Sequence, residues 1–136
     1  MATGTTGSMA QVYHTNQIHY FARAFTYADD GSVLTLGVIP AGAAVIRGGV
    51  VVTTAFNAGS TNVLDIGTSG DDDGFATDLA LGTIGVIVAD EMATSNDTYS
   101  ASADVTVTAT VDLTGTAATA GAGIVWVEYI VPNTAR

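Results

Sequence analysis

Apolar and polar residues alternate most strictly between Ala101 and Leu113. Ala103, Val105, Val107, Ala109, Val111 and Leu113 interleave with Asp104, Thr106, Thr108, Thr110 and Asp112. A period of two over this length is that of a half-buried antiparallel strand with one wet face. Shorter segments of strand character surround it. An aromatic-rich strand is predicted over Gln17–Tyr27 and ends at the turn sequence Asp29-Asp30-Gly31. A second covers Val33–Ile39 and stops at Pro40-Ala41-Gly42, because proline has no N–H for a ladder. The third covers Ala43–Ala55, with Gly48-Gly49 marking a bulge or bend.

Asn57-Ala58-Gly59-Ser60 turns the chain into Asn62–Thr68, where Leu64 and Ile66 face one way and Val63, Asp65 and Gly67 the other. Phe75–Leu81 has ambiguous spacing that also fits one helical turn. Ile84–Ala89 and Ile124–Val131 complete the set. Exposed helix formers are nearly missing, whereas Thr and Val favour strands. Seven to eight strands without intervening helices predict an all-β fold: an antiparallel β-sandwich or a jelly-roll-like barrel. The expected organisation is a flexible N-terminal arm over residues 1–15 and a single β-sandwich domain over residues 16–136. No repeat of fixed period is visible.

Composition narrows the function. Of 136 residues, 48% are hydrophobic and 12% charged. Thirteen Asp and Glu stand against three Lys and Arg, all of them Arg, for a net charge of −10. Nucleic acid is not an expected partner, because binding phosphate requires cations. An anionic membrane surface is not expected either. The opening residues Met1–Ser8 lack the basic start and apolar stretch of a secretory signal, and no run reaches the roughly 18 apolar residues of a membrane span. Cysteine is absent, which excludes disulfides, thiol catalysis and thiolate metal sites. The low charge points to assembly through apolar and small-residue surface.

Catalytic chemistry finds little support. The two histidines, His14 and His19, lie near the N-terminus, and no Gly-x-Ser-x-Gly elbow is present. No catalytic residue is therefore expected. Paired carboxylates would need Glu91 or Glu128 opposite a second acid in a cleft. Glu128 interrupts an apolar strand and shares its face with Ile124, Trp126 and Ile130, so it reads as an edge charge or a partner for Arg23 or Arg47.

The run Asp71-Asp72-Asp73-Gly74, with Asp78, resembles a calcium loop in composition. Aligned on Gly74 as an EF-hand, it puts Ser69 at the first ligand position and Ala80 at the bidentate one, so it is not an EF-hand. No metal site and no cofactor are expected; Asp71, Asp73 and Asp78 are the candidates for the one ion considered, calcium. A solvated turn explains the same run. Asn96-Asp97-Thr98 fits the N-glycosylation pattern, which is common by chance. The aromatics Tyr13, Tyr20, Phe21, Phe25 and Tyr27 serve a core, a sugar platform or a subunit interface, and are taken as interface candidates.

One stretch resembles a known group. Ile39-Pro40-Ala41-Gly42-Ala43, the strand Val50-Val51-Val52, then Ala55-Phe56-Asn57-Ala58-Gly59-Ser60-Thr61-Asn62 and Gly67-Thr68 are similar to small β-rich structural proteins of tailed bacteriophages, among them head decoration (cement) proteins. The match is a strand-turn-strand framework and designates no site residues. It implies a virion protein on the outer surface of an icosahedral capsid, with the major capsid protein and copies of itself as partners, commonly as homotrimers. A carbohydrate- or receptor-binding module of a fibre or tail is the alternative expectation.

Overall fold

The computed structural model describes residues 18–89 and 103–131. These form eight strands: β1 (Ile18–Thr26), β2 (Val33–Ile39), β3 (Ala44–Thr54), β4 (Thr61–Thr68), β5 (Ala76–Ala80), β6 (Gly85–Val88), β7 (Val105–Thr114) and β8 (Ala122–Ile130). One 3-10 turn, Tyr27–Asp29, follows β1. It forms where predicted, because Thr26 Oγ1 accepts from the Ala28 N–H and the Asp29 carboxylate accepts from the Thr26 N–H at 2.8 Å. Gly31 then takes a φ of 74°, which closes the turn into β2. The arm expected over residues 1–15 lies outside the described residues.

The strands form two antiparallel sheets of four, in the orders β1-β8-β3-β6 and β2-β7-β4-β5. Four of the pairings, β1 with β8, β2 with β7, β3 with β6 and β4 with β5, are those of one long ribbon doubled back between β4 and β5. Rolling this ribbon adds the β3–β8 and β4–β7 contacts and sends successive strands to alternate sheets, except for the β4–β5 hairpin at its end. The result is a β-sandwich with jelly-roll strand order. The sheets do not close into a barrel.

The core fills the space between the sheets. Phe25, Val50, Val52, Val125 and Val127 of the first sheet meet Leu34, Ile39, Leu64, Ile66, Val107 and Val111 of the second. Phe25 stacks on Phe56 with ring centroids 5.5 Å apart. Burying each such side chain contributes about 1.5–3 kcal/mol, and that total offsets the entropy lost in ordering the chain.

Three local features depart from the alternation read in the sequence. Phe75–Leu81 contributes a strand, not a helical turn. Ile66 pairs with Ala76 and Leu64 with Leu79, so β5 spends one more residue than β4 between the two pairs. This bulge, with Asp78 at a φ of 56°, turns both Ala76 and Leu79 toward the core. Their spacing of three imitates a helix. In β3 the register shifts between Val45 and Arg47, just before Gly48-Gly49. Gly49 instead admits β6, for a methyl group there would lie 2.2 Å from the Ile87 carbonyl oxygen. Finally, β7 is not wet along its whole polar face. Thr108 is 4% exposed and Thr110 half-buried, because the loop 69–74 folds across the outside of β4 and β7.

Candidate protein interface

The two outer faces differ in chemistry. On the first sheet, cross-strand rows run Tyr20–Glu128–Arg47, Ala22–Trp126–Gly49–Val88 and Ala24–Ile124–Val51–Val86. Ala22 and Gly49 flank Trp126 with almost no side chain, and the indole is half-buried. Tyr20, Ala22, Ile124, Trp126 and Glu128 line a shallow recess. Tyr20 is 69% exposed, Val86 65%, Ile18 59% and Val88 52%. In these rows the one acid, Glu128, accepts a hydrogen bond from Arg47 Nε. The surface is therefore broad, apolar and locally neutral. A contiguous apolar face of this kind is a mark of an interaction site.

The outer face of the second sheet is polar and acidic. Thr106, Thr108, Thr110 and Asp112 of β7 lie beside Val63, Asp65 and Gly67 of β4. Asp71, Asp72 and Asp73 overhang them, and Asp78 follows on β5. Asp65 accepts from the Asp78 N–H at 2.7 Å. Its carboxyl is nevertheless held above the ordinary aspartate range, first by partial burial and then by the negative charges of Asp78, Asp73 and Asp72. The hydrogen bond acts the other way and does not prevail.

The aromatics singled out from sequence separate. Tyr20 joins the apolar face. Phe21 leans inward on Tyr129, ring centroids 5.2 Å apart, and covers Gly37. Phe25 is buried in the core, where no partner reaches it. Tyr27 stands exposed in the 3-10 turn. Tyr13 lies outside the described residues, as do His14, Glu91 and Asn96. His19 stacks on Tyr129 at 5.3 Å. Glu128 is not an edge charge, because β8 lies between β1 and β3; its partner is Arg47, one of the two arginines considered. Among the described residues, no second carboxylate lines the recess beside it. Asp71, Asp72 and Asp73 come together, while Asp78 lies across Asp65 from them.

Trp126, Val86 and Val88 are the residues that reading for aromatic clusters passed over. A signal for Trp126 was present in β8. Val125 and Val127 alternate with Ile124 and Trp126, so the strand is apolar on both faces. An antiparallel sandwich buries one face of each strand, and a second apolar face needs cover from elsewhere.

No protein-family model matches the chain, and no curated protein matches it in sequence. Solved structures do match in fold. A chain of the acidic stable capsid structure of Helicobacter pylori bacteriophage KHP30 aligns with a TM-score of 0.63 at 20% identity, over 88% of this chain and 91% of that one. One from the capsid of Ralstonia phage GP4 gives 0.59 at 20%, over 87% and 85%. One from the cyanophage Pam1 capsid asymmetric unit gives 0.58 at 20%, over 85% and 84%. The shared property is the arrangement of strands across nearly the whole of each chain.

Proposed function

We propose that the protein is a structural component of a phage virion that decorates the outer surface of the icosahedral head and stabilises it. The observation that carries this reading is the apolar outer face of β1, β8, β3 and β6. That face docks on the major capsid protein, and the acidic face of the other sheet points to solvent. The fold shared with chains of three phage capsid structures supports the reading, as does the resemblance of residues 38–68 to virion proteins. The action is mechanical and uses no catalytic residue. A protein that binds the assembled shell and not its separated parts stabilises the shell by mass action. Copies grouped as trimers on local symmetry axes engage several seams at once, so each contact can be weak.

Co-sedimentation with undecorated heads tests the proposal. Uptake saturates at a fixed ratio of copies to shell sites. Trp126→Ala, at the centre of the face, weakens uptake by about 30-fold if the indole is a hot spot worth roughly 2 kcal/mol. Absence of saturable uptake, or an undiminished Trp126→Ala variant, refutes the docking face.

A second reading, a carbohydrate- or receptor-binding module, is favoured by one observation. Tyr20 and Trp126 flank a shallow recess whose rim carries the Glu128–Arg47 pair, and sugar platforms combine exposed rings with such polar groups. Retention on a glycan array without uptake by heads selects it.

A further inference from the structure

The strands at the sheet edges, β1, β6, β2 and β5, are not equally protected. A strand edge offers unpaired N–H and C=O groups to any chain that reaches it, and folded proteins blunt it with bulges, charges or cover. At the β1 edge the Arg23 guanidinium crosses to the Thr35 carbonyl oxygen of β2, and the Asp29 carboxylate takes the Thr26 N–H. β2 is broken by a register shift between Thr35 and Gly37. β5 carries the bulge and the Asp78 charge, with Asp78 at positive φ. β6 has none of these devices. It runs in unbroken register against β3, from Gly85 opposite Val52 to Val88 opposite Gly49. No side chain from Ile84 to Ala89 is charged. Among the described residues no strand lies beyond it.

One bond fixes the direction of its backbone groups. The Ala89 N–H donates to the Gly48 carbonyl oxygen. These groups alternate along a strand, so those of Ile87 also face β3, and the N–H and C=O of Val86 and Val88 point out of the sheet edge. The side chains of Val86 and Val88 stand exposed on the outer face, while Ile87 packs against the core.

The order of residues in β6 selects its occupant. Gly85-Val86-Ile87-Val88-Ala89 reads nearly the same in either direction about Ile87. Antiparallel pairing of two such strands about Ile87 sets Val86 opposite Val88 of the second copy and Gly85 opposite Ala89. Val86 and Val88 of the second copy then exchange both N–H···O bonds, and the two-fold axis repeats the exchange. The valines meet as β-branched cross-strand pairs, with the smallest residues at the ends of the seam. Charge agrees with this choice. A chain of net charge −10 repels its copies, and this edge sets no acid directly opposite another.

We propose that two copies of the chain pair through their β6 edges and fuse their β1-β8-β3-β6 sheets into one across a two-fold axis. The axis of an antiparallel pair stands perpendicular to the sheet. Both apolar outer faces therefore lie on one side of the dimer and both acidic faces on the other. The pairing does not depend on what the apolar face docks on; where that face docks on a capsid, the dimer presents two such faces at once. The seam is short and buries well under the roughly 1,200 Å² of a stable interface, so pairing in solution is weak.

Sedimentation equilibrium of the purified full chain, carried to about 1 mM, tests the pairing, and a concentration-dependent dimer is expected. Val88→Pro removes an outward N–H and no bond to β3, and weakens the dimer by about tenfold or more. Val88→Thr keeps the N–H and the branched shape and pairs as the wild type does. The chain has no cysteine, so engineered thiols report the register without background. Residues directly opposite lie about 5.5 Å apart at Cα, within reach of a disulfide. Val86→Cys mixed with Val88→Cys gives an oxidised dimer, and either variant alone gives far less. A wild type that stays free of dimer at about 1 mM overturns the pairing, as does a Val88→Pro variant that associates undiminished. Equal crosslinking in the mixture and in the single variants overturns the register about Ile87.

Discussion

Gly67 has no room for a methyl group. A side-chain carbon there would lie 2.1 Å from the Asp71 carbonyl oxygen, which is backbone and cannot swing aside. Gly67→Ala therefore lifts the loop from β4 and destabilises the fold by about 1–3 kcal/mol. Gly82→Ala is the control, because nothing lies within 4 Å of its added carbon; it is neutral or stabilises by up to about 1 kcal/mol through the unfolded chain. Urea midpoints of the two variants decide the matter. Asp65 makes the complementary case for charge. Its folded pKa is raised, so the folded state holds the proton more tightly than the unfolded chain does. Stability is then lost as pH rises from the ordinary aspartate value of about 3.9 through the raised folded value, and stays lost above it. Asp65→Asn removes that loss and keeps an oxygen for the Asp78 N–H. The variant's melting temperature exceeds that of the wild type at neutral pH, and the gap closes on acidification below the ordinary value. A gap that widens on acidification contradicts the assignment.

Among the elements, β2, β4 and β7 were legible because a strand with one apolar face writes its own period into the sequence. Asp29-Asp30-Gly31 was legible because positive φ and side-chain capping select those residue types. β5 was not, since a bulge inserts one residue and converts a period of two into a spacing of three. Strand order was equally hidden. Antiparallel neighbours in a rolled ribbon lie as far apart in sequence as β1 and β8, and no local pattern carries that distance. The apolar outer face was half legible: Ile124, Trp126, Glu128 and Ile130 were seen to share a side, but their neighbours Val86 and Val88 come from β6, placed there by tertiary pairing alone. Phe25 misleads for the same reason, because an aromatic suits a core as well as an interface. β8 also makes a prediction at this scale. In the Glu128–Arg47 pair Arg47 is 59% exposed and Glu128 23%, and water still screens the pair through the arginine, so Glu128→Gln changes stability by about 1 kcal/mol or less. Under a docked partner the same change strands the Arg47 charge in a dry contact, and uptake by heads falls well beyond that. Equal losses in melting temperature and in uptake would assign the pair to the fold alone.

At the scale of the whole molecule, the net charge of −10 is unevenly spread. The central rows of the first sheet balance one acid with one base, whereas Asp65, Asp71, Asp72, Asp73, Asp78 and Asp112 gather on or beside the second. Copies of such a chain repel one another through their acidic faces and not through their apolar ones. Under the proposed decoration role, that asymmetry sets an orientation without any specific contact: apolar side inward, acidic side to solvent. The salt dependence of docking follows as well. If the neutral face makes the contact, few counterions are released, and raising sodium chloride from about 0.05 M to about 0.5 M, which shortens the screening length severalfold, leaves affinity for heads nearly unchanged or improves it by damping repulsion between neighbouring copies. If the acidic face docks on a basic shell instead, the same change in salt lowers affinity steeply. Co-sedimentation across that range distinguishes the two. A steep loss would reverse the molecule on its shell, placing Asp71–Asp73 in the contact and Trp126 in solvent.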